Sequence, residues 1–240
     1  MWRVLILCSC SLLANAAAPV CQSTTPASVL VELYTSEGCS SCPPADAWLA
    51  KVPVKFNPDQ VVTLAWHVDY WDYPGWKDVL ADPQFSLRQR ERVRASHSKN
   101  VYTPQLMING QTRIWYQQPE QYIQQAAKQE YPKLLQVSAQ QQSPNTWLLN
   151  IKNTNTLPDT AVLRAALLGD TINRRIDGGE NTGRLLSHPS PVLAYAPHVQ
   201  DQVILQTDGH KAVRAVVWLE GMHASEVIAI NSVDLVKCHE

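Results

Sequence analysis

The most informative segment of the chain is residues 38–44, which read Gly38-Cys39-Ser40-Ser41-Cys42-Pro43-Pro44. A predicted strand, Val29–Tyr34, lies before it, because this run is apolar and rich in β-branched residues. A helix is predicted from Pro43 to about Lys51, since proline is tolerated in the first turn of a helix. The two thiols are therefore placed where a strand leads into a helix.

This placement favours redox chemistry at the thiols. Unpaired N–H groups and the positive end of the helix dipole favour the thiolate of Cys39. Such settings lower a cysteine pKa from about 8.5 into the range of roughly 3.5–7.5. A thiolate is the nucleophile in disulfide exchange, and Cys42 could resolve a mixed disulfide from within the chain. Half of a metal site and a structural disulfide are the alternatives, although the sequence has no second C-x-x-C that would complete a zinc site.

Residues 1–18 are typical of a secretory signal peptide. Arg3 supplies a positive n-region, Val4–Leu13 is a short apolar segment, and Ala14-Asn15-Ala16 fits an A-x-A cleavage site. The apolar run is shorter than the roughly 20 residues that a membrane span needs. We therefore expect a periplasmic or secreted protein without a stable membrane anchor after cleavage.

Cleavage would leave four cysteines in an oxidising compartment. Four cysteines allow three pairings. The favoured pairing joins Cys39 to Cys42 as the redox pair and Cys21 to Cys238 as a structural disulfide, because chain termini often lie close together on a domain surface. Spacing alone does not prove this pairing.

The pattern of apolar runs divides the mature chain into two parts. Residues 27–133 alternate strand and helix in the order βαβαββα, with two helices as crossovers between parallel strands. Short β-rich runs then predict a smaller, mostly antiparallel, sandwich-like β module over residues 134–240. The formal net charge of −1 gives no reason to expect a nucleic-acid partner.

The remaining predicted elements follow from apolar periodicity and from turn residues. In the first part they are the strand Val61–Trp66, a helix with Asp82 as N-cap that runs to about His97, a hairpin of Gln105–Ile108 and Gln111–Trp115 around Asn109-Gly110, and a helix Pro119–Lys133. In the second part they are the strands Leu135–Ala139, Trp147–Lys152, Ala161–Leu168, Val203–Gln206, Val213–Leu219 and Val227–Ile230. The alternating arginines Arg88, Arg90, Arg92 and Arg94 predict a solvated basic helix face.

Thr103-Pro104 comes directly before the predicted strand Gln105–Ile108. A cis bond here would mark a tight bend. Such a bend, with Pro104 at its centre, could hold the backbone of Thr103 beside the cysteine pair, ready to bind a substrate peptide. The alternative is an ordinary trans proline at a sheet edge.

The loop Trp66–Trp76 follows the second predicted strand. Loops at the carboxyl ends of strands line the site in open α/β sheets. Tyr70 and Trp71 could therefore bind a peptide, or they could pack between the two parts of the chain. His67 could help to ionise Cys39, could join the thiols as a metal ligand, or could be only a hydrogen-bonded histidine.

Together these residues resemble the thioredoxin-like superfamily, through the strand Val29–Glu32, the Cys39–Cys42 motif and Thr103-Pro104. The chain is more closely similar to the DUF1223 family, secreted bacterial proteins of uncharacterised function. The stretches that carry this similarity are Glu37–Asp46, Trp66–Asp72, Val101–Gln105 and Gly179–Arg184.

The resemblance implies a thioredoxin-like fold, a redox role for Cys39 and Cys42, and a cis Pro104, and it supplies no substrate. Glu32 resembles the buried acid that thioredoxins use for proton transfer, so it is a candidate general acid/base; the alternative is an exposed strand acid. The glycine-rich segment Asp177–Arg184 lacks the setting of a phosphate loop and is predicted to be a structural turn, with a functional role left open by the resemblance.

The sequence therefore predicts an exported thiol–disulfide oxidoreductase that acts on protein or peptide disulfides and thiols and needs no cofactor. A soft-metal module in which Cys39, Cys42 and His67 bind Cu(I) is one alternative. A non-catalytic binding protein, in which the cysteine pair only staples the fold, is another.

Overall fold

A computed structural model describes residues 19–23, 26–129, 134–153, 160–221 and 226–239. The predicted signal peptide, residues 1–18, lies outside the described residues, as does the predicted end of the helix at 130–133. The fold is mixed α/β, with far more strand than helix and mostly antiparallel pairing. No helix within the described ranges is both long and apolar enough to cross a membrane.

The secondary structure comprises the following elements. The strands are β1 (Val20–Gln22), β2 (Pro26–Ala27), β3 (Val29–Thr35), β4 (Val61–His67), β5 (Gln105–Ile108), β6 (Gln111–Arg113), β7 (Leu135–Ser143), β8 (Thr146–Asn153), β9 (Ala161–Gly169), β10 (Ile172–Arg175), β11 (Leu185–His188), β12 (Val192–Val199), β13 (Gln202–Gln206), β14 (Ala212–Gly221) and β15 (Val227–Asp234). The helices are α1 (Pro43–Leu49), α2 (Val52–Lys55), α3 (Pro83–Ala95) and α4 (Glu120–Ala127).

The sheet that positions the cysteine pair has the strand order β4-β3-β5-β6. Its central strand β3 runs parallel to β4 and antiparallel to β5. Successive side chains of a strand point to opposite faces. Val31 and Leu33 accordingly pack in one core with residues of α1, α2 and α4, whereas Leu30 and Tyr34 pack in another with residues of β9 and β14. Because both faces are covered, the whole of β3 is buried and reads as a nearly continuous apolar run.

The second half of the chain forms a five-stranded sheet, β12-β9-β14-β15-β2, and a four-stranded sheet, β1-β7-β8-β13. These two sheets bury a shared core that includes Leu149, Leu167 and Val217. Strands β1 and β2, which precede β3, pair with β7 and β15 of this second half. A disulfide between Cys21 and Cys238 joins the two ends, with 5.2 Å between their Cα atoms.

The predicted order of strands and helices in the first part is confirmed. The predicted second crossover between parallel strands is wrong, because β5, which follows α3, runs antiparallel to β3 and therefore to β4. Several local signals hold in detail. Asp82 caps α3, because its Oδ1 accepts a hydrogen bond of 2.8 Å from Gln84 N. Asn109 and Gly110 both have positive φ, 47° and 82°, as a tight two-residue hairpin turn requires. The ribbon β10-β11 was not predicted, because both of its strands are short and rich in polar residues. The strand β12 was not predicted either.

The predicted solvated basic face of α3 is wrong for Arg88 and Arg92, which are fully buried. These residues are four positions apart and share one side of the helix. That side packs between β3 and β14, where Arg88 Nη2 lies 2.7 Å from Glu32 Oε1 and Arg92 Nη2 lies 2.8 Å from Glu220 Oε2. The buried carboxylates compensate charges that could not otherwise leave water.

Candidate functional site

Cys39 and Cys42 form a disulfide just before α1, with 5.4 Å between their Cα atoms. The helix begins at Pro43, and Cys42 is its N-cap. A hydrogen bond of 3.2 Å from Cys42 N to Cys39 O closes the turn between the two cysteines. Ser41 Oγ lies 3.4 Å from Cys39 Sγ and is the donor, because a disulfide sulfur carries no hydrogen.

The bend at Thr103-Pro104 lies at the same end of the sheet as the cysteine pair. The Thr103–Pro104 peptide bond is cis. Gln105, the next residue, pairs with Tyr34, which is one residue from the end of β3. Trp71 joins the two sides, since its Nε1 donates a 2.8 Å hydrogen bond to Thr103 Oγ1 and its Cβ is 3.0 Å from the position that a Cβ on Gly38 would occupy.

Aromatic side chains form the exposed rim of this edge. Tyr70 is 38% exposed and Tyr102 is 43% exposed. Gln89 connects them, because its Oε1 accepts a 3.1 Å hydrogen bond from Tyr70 and its Nε2 donates one of 2.8 Å to Tyr102 O. The structure therefore brings Tyr70, Trp71 and Thr103, the predicted substrate-binding residues, to one edge of the site.

A buried polar cluster lies at this end of the sheet. His67 Nδ1 is 2.7 Å from Asp78 Oδ2, and the same carboxylate oxygen accepts a 2.9 Å hydrogen bond from Glu37 N. Burial by itself lowers the pKa of His67, but the adjacent Asp78 raises it above its ordinary value. Burial disfavours the charged form of Asp78, yet His67 lowers the pKa of that carboxyl to about 2. His67 and Asp78 therefore form a buried ion pair.

A second histidine reaches the cluster from the C-terminal half of the chain. His188, on β11, has its Nε2 3.2 Å from Glu37 Oε1, and its ring centroid lies 4.8 Å from that of His67. Burial lowers the pKa of His188 despite the neighbouring Glu37. Arg174, on β10, donates a 2.8 Å hydrogen bond to the same Glu37 oxygen. The ribbon β10-β11 is thus anchored to the residue that precedes the Gly38-Cys39 turn.

Asp46 is the acid nearest to the cysteines along α1, one helical turn after Cys42 and on the same side of the helix. Its Oδ2 accepts a 3.2 Å hydrogen bond from Thr35 Oγ1, and its Oδ1 has no hydrogen-bond partner among the described residues. Burial raises the pKa of Asp46 to about 7, although His67 and the Thr35 hydrogen bond act in the opposite direction. This carboxyl therefore exchanges a proton near neutral pH.

Replacing Asp46 by Asn should stabilise the protein at pH 8 and not at pH 4. A carboxyl whose pKa is higher in the folded state contributes stability below its unfolded pKa of 3.8, and that contribution is lost as pH rises through about 7. Asn mimics the protonated carboxyl, so Asp46→Asn should gain on the order of 2–4 kcal/mol over wild type at pH 8. Urea unfolding at the two pH values measures this difference.

The matched control is Asp201→Asn, which neutralises an exposed carboxyl outside the cluster. It should leave the pH dependence of unfolding unchanged. A gain for Asp46→Asn that is equal at pH 4 and pH 8 would show that Asp46 does not bind a proton at neutral pH in the folded state.

Glu32 does not reach the cysteines. It is fully buried on the face of β3 that packs against α3, where Arg88 and Arg92 bind its carboxylate at 2.7 and 3.0 Å. Residues of α1 pack on the opposite face of the same sheet. The strand alternation that buries Val31 and Leu33 beneath α1 turns Glu32 away from it. The expected exposed strand acid is also wrong, because Glu32 is an interior ion-pair partner.

A turn from the C-terminal half packs against the loop that carries the cysteine pair. Asn181 is fully buried, and its Nδ2 donates hydrogen bonds of 2.9 Å to both Glu37 O and Cys39 O. Glu180 Oε2 accepts a 3.1 Å hydrogen bond from Ser40 N. In this closed arrangement Cys39 is only 1% exposed and Cys42 is 0% exposed.

Several site residues were missed from the sequence, namely Asp46, Asp78, Glu37, Arg174, Glu180, Asn181 and His188. The spacing of Cys42 and Asp46, one helical turn, was a usable signal for Asp46. No such signal exists for His188 and Arg174, because they reach the site through a ribbon far away in sequence. Within the described ranges, no three His, Cys, Asp or Glu side chains are grouped so as to hold a metal ion.

Comparison with known proteins gives a family and a fold. The family described as "Protein of unknown function (DUF1223)" matches residues 30–226. A structural-genomics target from Agrobacterium tumefaciens, solved by X-ray crystallography, is 25% identical and superposes with a TM-score of 0.57, covering 89% of this chain and 96% of that one. HBP35 of Porphyromonas gingivalis is 13% identical at the same TM-score of 0.57, covering 90% and 77%. The search of curated proteins found no match.

Proposed function

We propose that this chain, which belongs to the DUF1223 family, is an exported thiol–disulfide oxidoreductase that acts on protein or peptide disulfides. One observation carries the proposal: the Cys39–Cys42 disulfide follows β3 at the end of the sheet where Thr103-Pro104 leads into β5, and the ionisable residues His67, Asp78 and Asp46 are buried at the same end. A disulfide that only staples a fold needs no buried proton-exchanging groups next to it. Export is supported by the signal-like residues 1–18 and by two disulfides in one chain.

The proposed reaction moves two electrons between the cysteine pair and the substrate. In the reducing direction, the Cys39 thiolate attacks a substrate disulfide, an S–S bond forms to the substrate, and the other substrate sulfur leaves as a thiolate. Cys42 then attacks Cys39 Sγ, which closes the Cys39–Cys42 disulfide and releases the second substrate sulfur. A dithiol donor must reduce the pair again before the next cycle. The oxidising direction is the reverse sequence.

In this proposal Asp46 accepts and returns the proton of the Cys42 thiol, and His67 favours the carboxylate form of Asp46. Cys42 must lose its thiol proton before it can attack, and Asp46 lies one turn further along the same side of α1. A carboxyl with a pKa of about 7 can accept that proton and return it at neutral pH. The charge of His67 lowers the pKa of Asp46 and so favours its carboxylate, and this effect is larger than the opposite effect of Asp78.

The substrate would bind along the edge that Thr103 and the aromatic rim form. The backbone of Thr103 and the side chains of Trp71 and Tyr70 are the proposed contacts, since this edge of the sheet is partly exposed. For the fold we propose a thioredoxin-like domain over residues 27–133 and a β module over 134–240. The sheet order β4-β3-β5-β6, with α1 following β3, supports that assignment.

A second candidate is a non-catalytic binding protein in which Cys39–Cys42 is a staple. The burial of both cysteines favours it. The two candidates differ in reduction potential, because structural disulfides of secreted proteins typically lie below about −300 mV, whereas catalytic pairs are less negative. The potential of the Cys39–Cys42 couple therefore discriminates between them.

The test combines that potential with turnover. The couple is equilibrated with thiol–disulfide buffers, and Cys39 and Cys42 are quantified by alkylation and peptide mass spectrometry, which separates them from Cys21 and Cys238. Insulin reduction in the presence of a dithiol donor, and oxidation of a reduced, unfolded protein, cover both directions. We expect a potential between about −120 and −270 mV and turnover in one direction. A potential below about −300 mV together with no turnover in either assay would show that Cys39–Cys42 is a structural disulfide.

A further inference from the structure

The segment Asp177–Arg184 is a turn that makes side-chain hydrogen bonds to the backbone on both sides of Cys39. It joins β10 to β11 and lies against the loop that carries Cys39. Without access to Cys39 Sγ, neither a substrate disulfide nor a small thiol can react with it. Because Cys39 is only 1% exposed, a reagent can reach its sulfur only after part of the surrounding structure has moved.

The contacts of this turn with the cysteine loop satisfy backbone groups on both sides of Cys39. Asn181 donates to the carbonyls of Glu37 and Cys39, and Glu180 accepts from the amide of Ser40. One donor and one acceptor are also what the main chain of an extended peptide offers. The turn thus occupies hydrogen-bonding positions that a substrate segment next to its disulfide could use.

Two glycines allow the turn to approach so closely. A Cβ on Gly178 would overlap the indole ring of Trp76. Gly179 has φ of +70°, a conformation that favours glycine, and a Cβ there would be 3.2 Å from Gly38 Cα. Trp76 adds a 3.1 Å hydrogen bond from its Nε1 to Asp177 Oδ1. The close fit depends on residues without side chains at the points of contact.

The base of the turn and its tip are held differently. At the base, Arg174 and His188 bind the buried Glu37, and Ile176 pairs with Arg184 through a backbone hydrogen bond of 2.9 Å. At the tip, Glu180 is exposed, and so are Thr182 and Gly183. The tip could therefore lift while the ribbon that carries it stays anchored.

We propose that residues 177–184 form a lid over the cysteine pair, and that Cys39 exchanges disulfides only when this lid has opened. The biological purpose of the lid rests on the proposed function, but its existence does not, because any thiol reagent must pass it. Closed, the lid protects the pair from small thiols. Opening is coupled to an incoming peptide, which replaces the hydrogen bonds that Asn181 and Glu180 give up.

The test measures how fast dithiothreitol reduces the Cys39–Cys42 disulfide in the full chain. Samples are quenched by alkylation, and peptide mass spectrometry reports the two disulfides separately. Asn181→Ala removes both hydrogen bonds to the cysteine loop and the one that Asn181 Oδ1 accepts from Arg184, and it leaves the carbonyl of Glu37 without its donor in the closed state. We therefore expect about a tenfold faster reduction. Glu180→Gln weakens one exposed, charge-assisted bond, so we expect about a twofold to threefold increase.

Two controls and the second lid variant make the result specific. Asn173→Ala makes the same chemical change at an exposed position of β10 and should leave the rate unchanged. The reduction rate of Cys21–Cys238 should be the same in all variants, which shows that global unfolding has not increased. Glu180→Gln changes an exposed side chain, so it tests the lid even if Asn181→Ala fails to fold.

Unchanged rates of Cys39–Cys42 reduction in both lid variants would overturn the proposal. This outcome is distinct from failure of the proposed function. If the lid variants react faster with dithiothreitol while no variant turns over insulin or a reduced protein, the lid stands and the oxidoreductase does not. If wild type turns over substrate, and dithiothreitol reduces the lid variants at the wild-type rate, the oxidoreductase function stands and the lid does not.

Discussion

Replacing Cys39 by Ser is expected to reduce disulfide exchange to the uncatalysed background, a fall of more than about a hundredfold. A serine hydroxyl cannot form the S–S bond on which the transfer of electrons depends, and Cys42 alone would have no second cysteine in the pair with which to complete a two-electron exchange. The rates of insulin reduction and of substrate oxidation, measured at equal concentrations of wild type and variant, give the size of the fall.

The companion variant Cys42→Ser should behave differently from Cys39→Ser. It keeps the attacking sulfur and loses the resolving one, so a mixed disulfide with the substrate should accumulate and should be visible on a non-reducing gel. Ser187→Ala serves as the control, because it keeps both thiols and changes an exposed side chain on β11, outside the cysteine loop and the lid. A Cys39→Ser variant that is as active as wild type would remove Cys39 from the mechanism.

Replacing Glu220 by Gln should lower the free energy of unfolding by about 3–5 kcal/mol at pH 7. Three arginines surround this buried carboxylate: Arg88 at 3.3 Å, Arg92 at 2.8 Å and Arg164 in direct contact. In the variant, Arg88 and Arg92 would share the single negative charge of Glu32, and Arg164 would keep its contact with Glu91. The interior would then hold more positive than negative charge, and a buried charge without full compensation is costly.

The pH for this experiment follows from the pKa of Glu220. Burial disfavours its charged form, but the three arginines lower the pKa to about 2. A carboxyl whose pKa is lower in the folded state stabilises the fold at pH values above its unfolded pKa, which is near 4.5 for Glu220. This stabilisation is lost as pH falls through about 2. The full effect is therefore present at pH 7, and wild type and variant should converge in strong acid.

Glu91→Gln is the matched control for Glu220→Gln. Glu91 binds the same Arg164 at 3.2 Å, but its side chain is 41% exposed. Exposed ion pairs contribute about 0–1 kcal/mol, so this variant should unfold almost like wild type in urea. Equal losses in the two variants would mean that burial does not set the energy of the network.

Much of the fold around the cysteines could be predicted from local sequence. The apolar run Val29–Tyr34, the proline after Cys42, the Asp82-Pro83 cap and the Asn109-Gly110 turn each act through neighbouring residues, and each element forms where predicted. The disulfide pairing could be ranked but not proved. The polar ribbon β10-β11 could not be predicted, because its strands are short and are stabilised by contacts outside themselves.

The candidate functional site likewise contains residues that the sequence could predict and residues that only tertiary contacts bring together. The sequence by itself determined that the Cys39–Cys42 pair stands before a helix, because backbone geometry there depends on a few adjacent residues. It left the Thr103–Pro104 bond open between cis and trans, and the structure has it cis. Only the tertiary structure decided that Glu32 faces α3 and its arginines, and that Asp46 is the acid beside Cys42 on α1. It also decided that His188 and Asn181 reach Glu37 and Cys39 from the far half of the chain. The physical reason is that these contacts form between segments up to about 150 residues apart, and their energy comes from burial and charge compensation when whole sheets pack together.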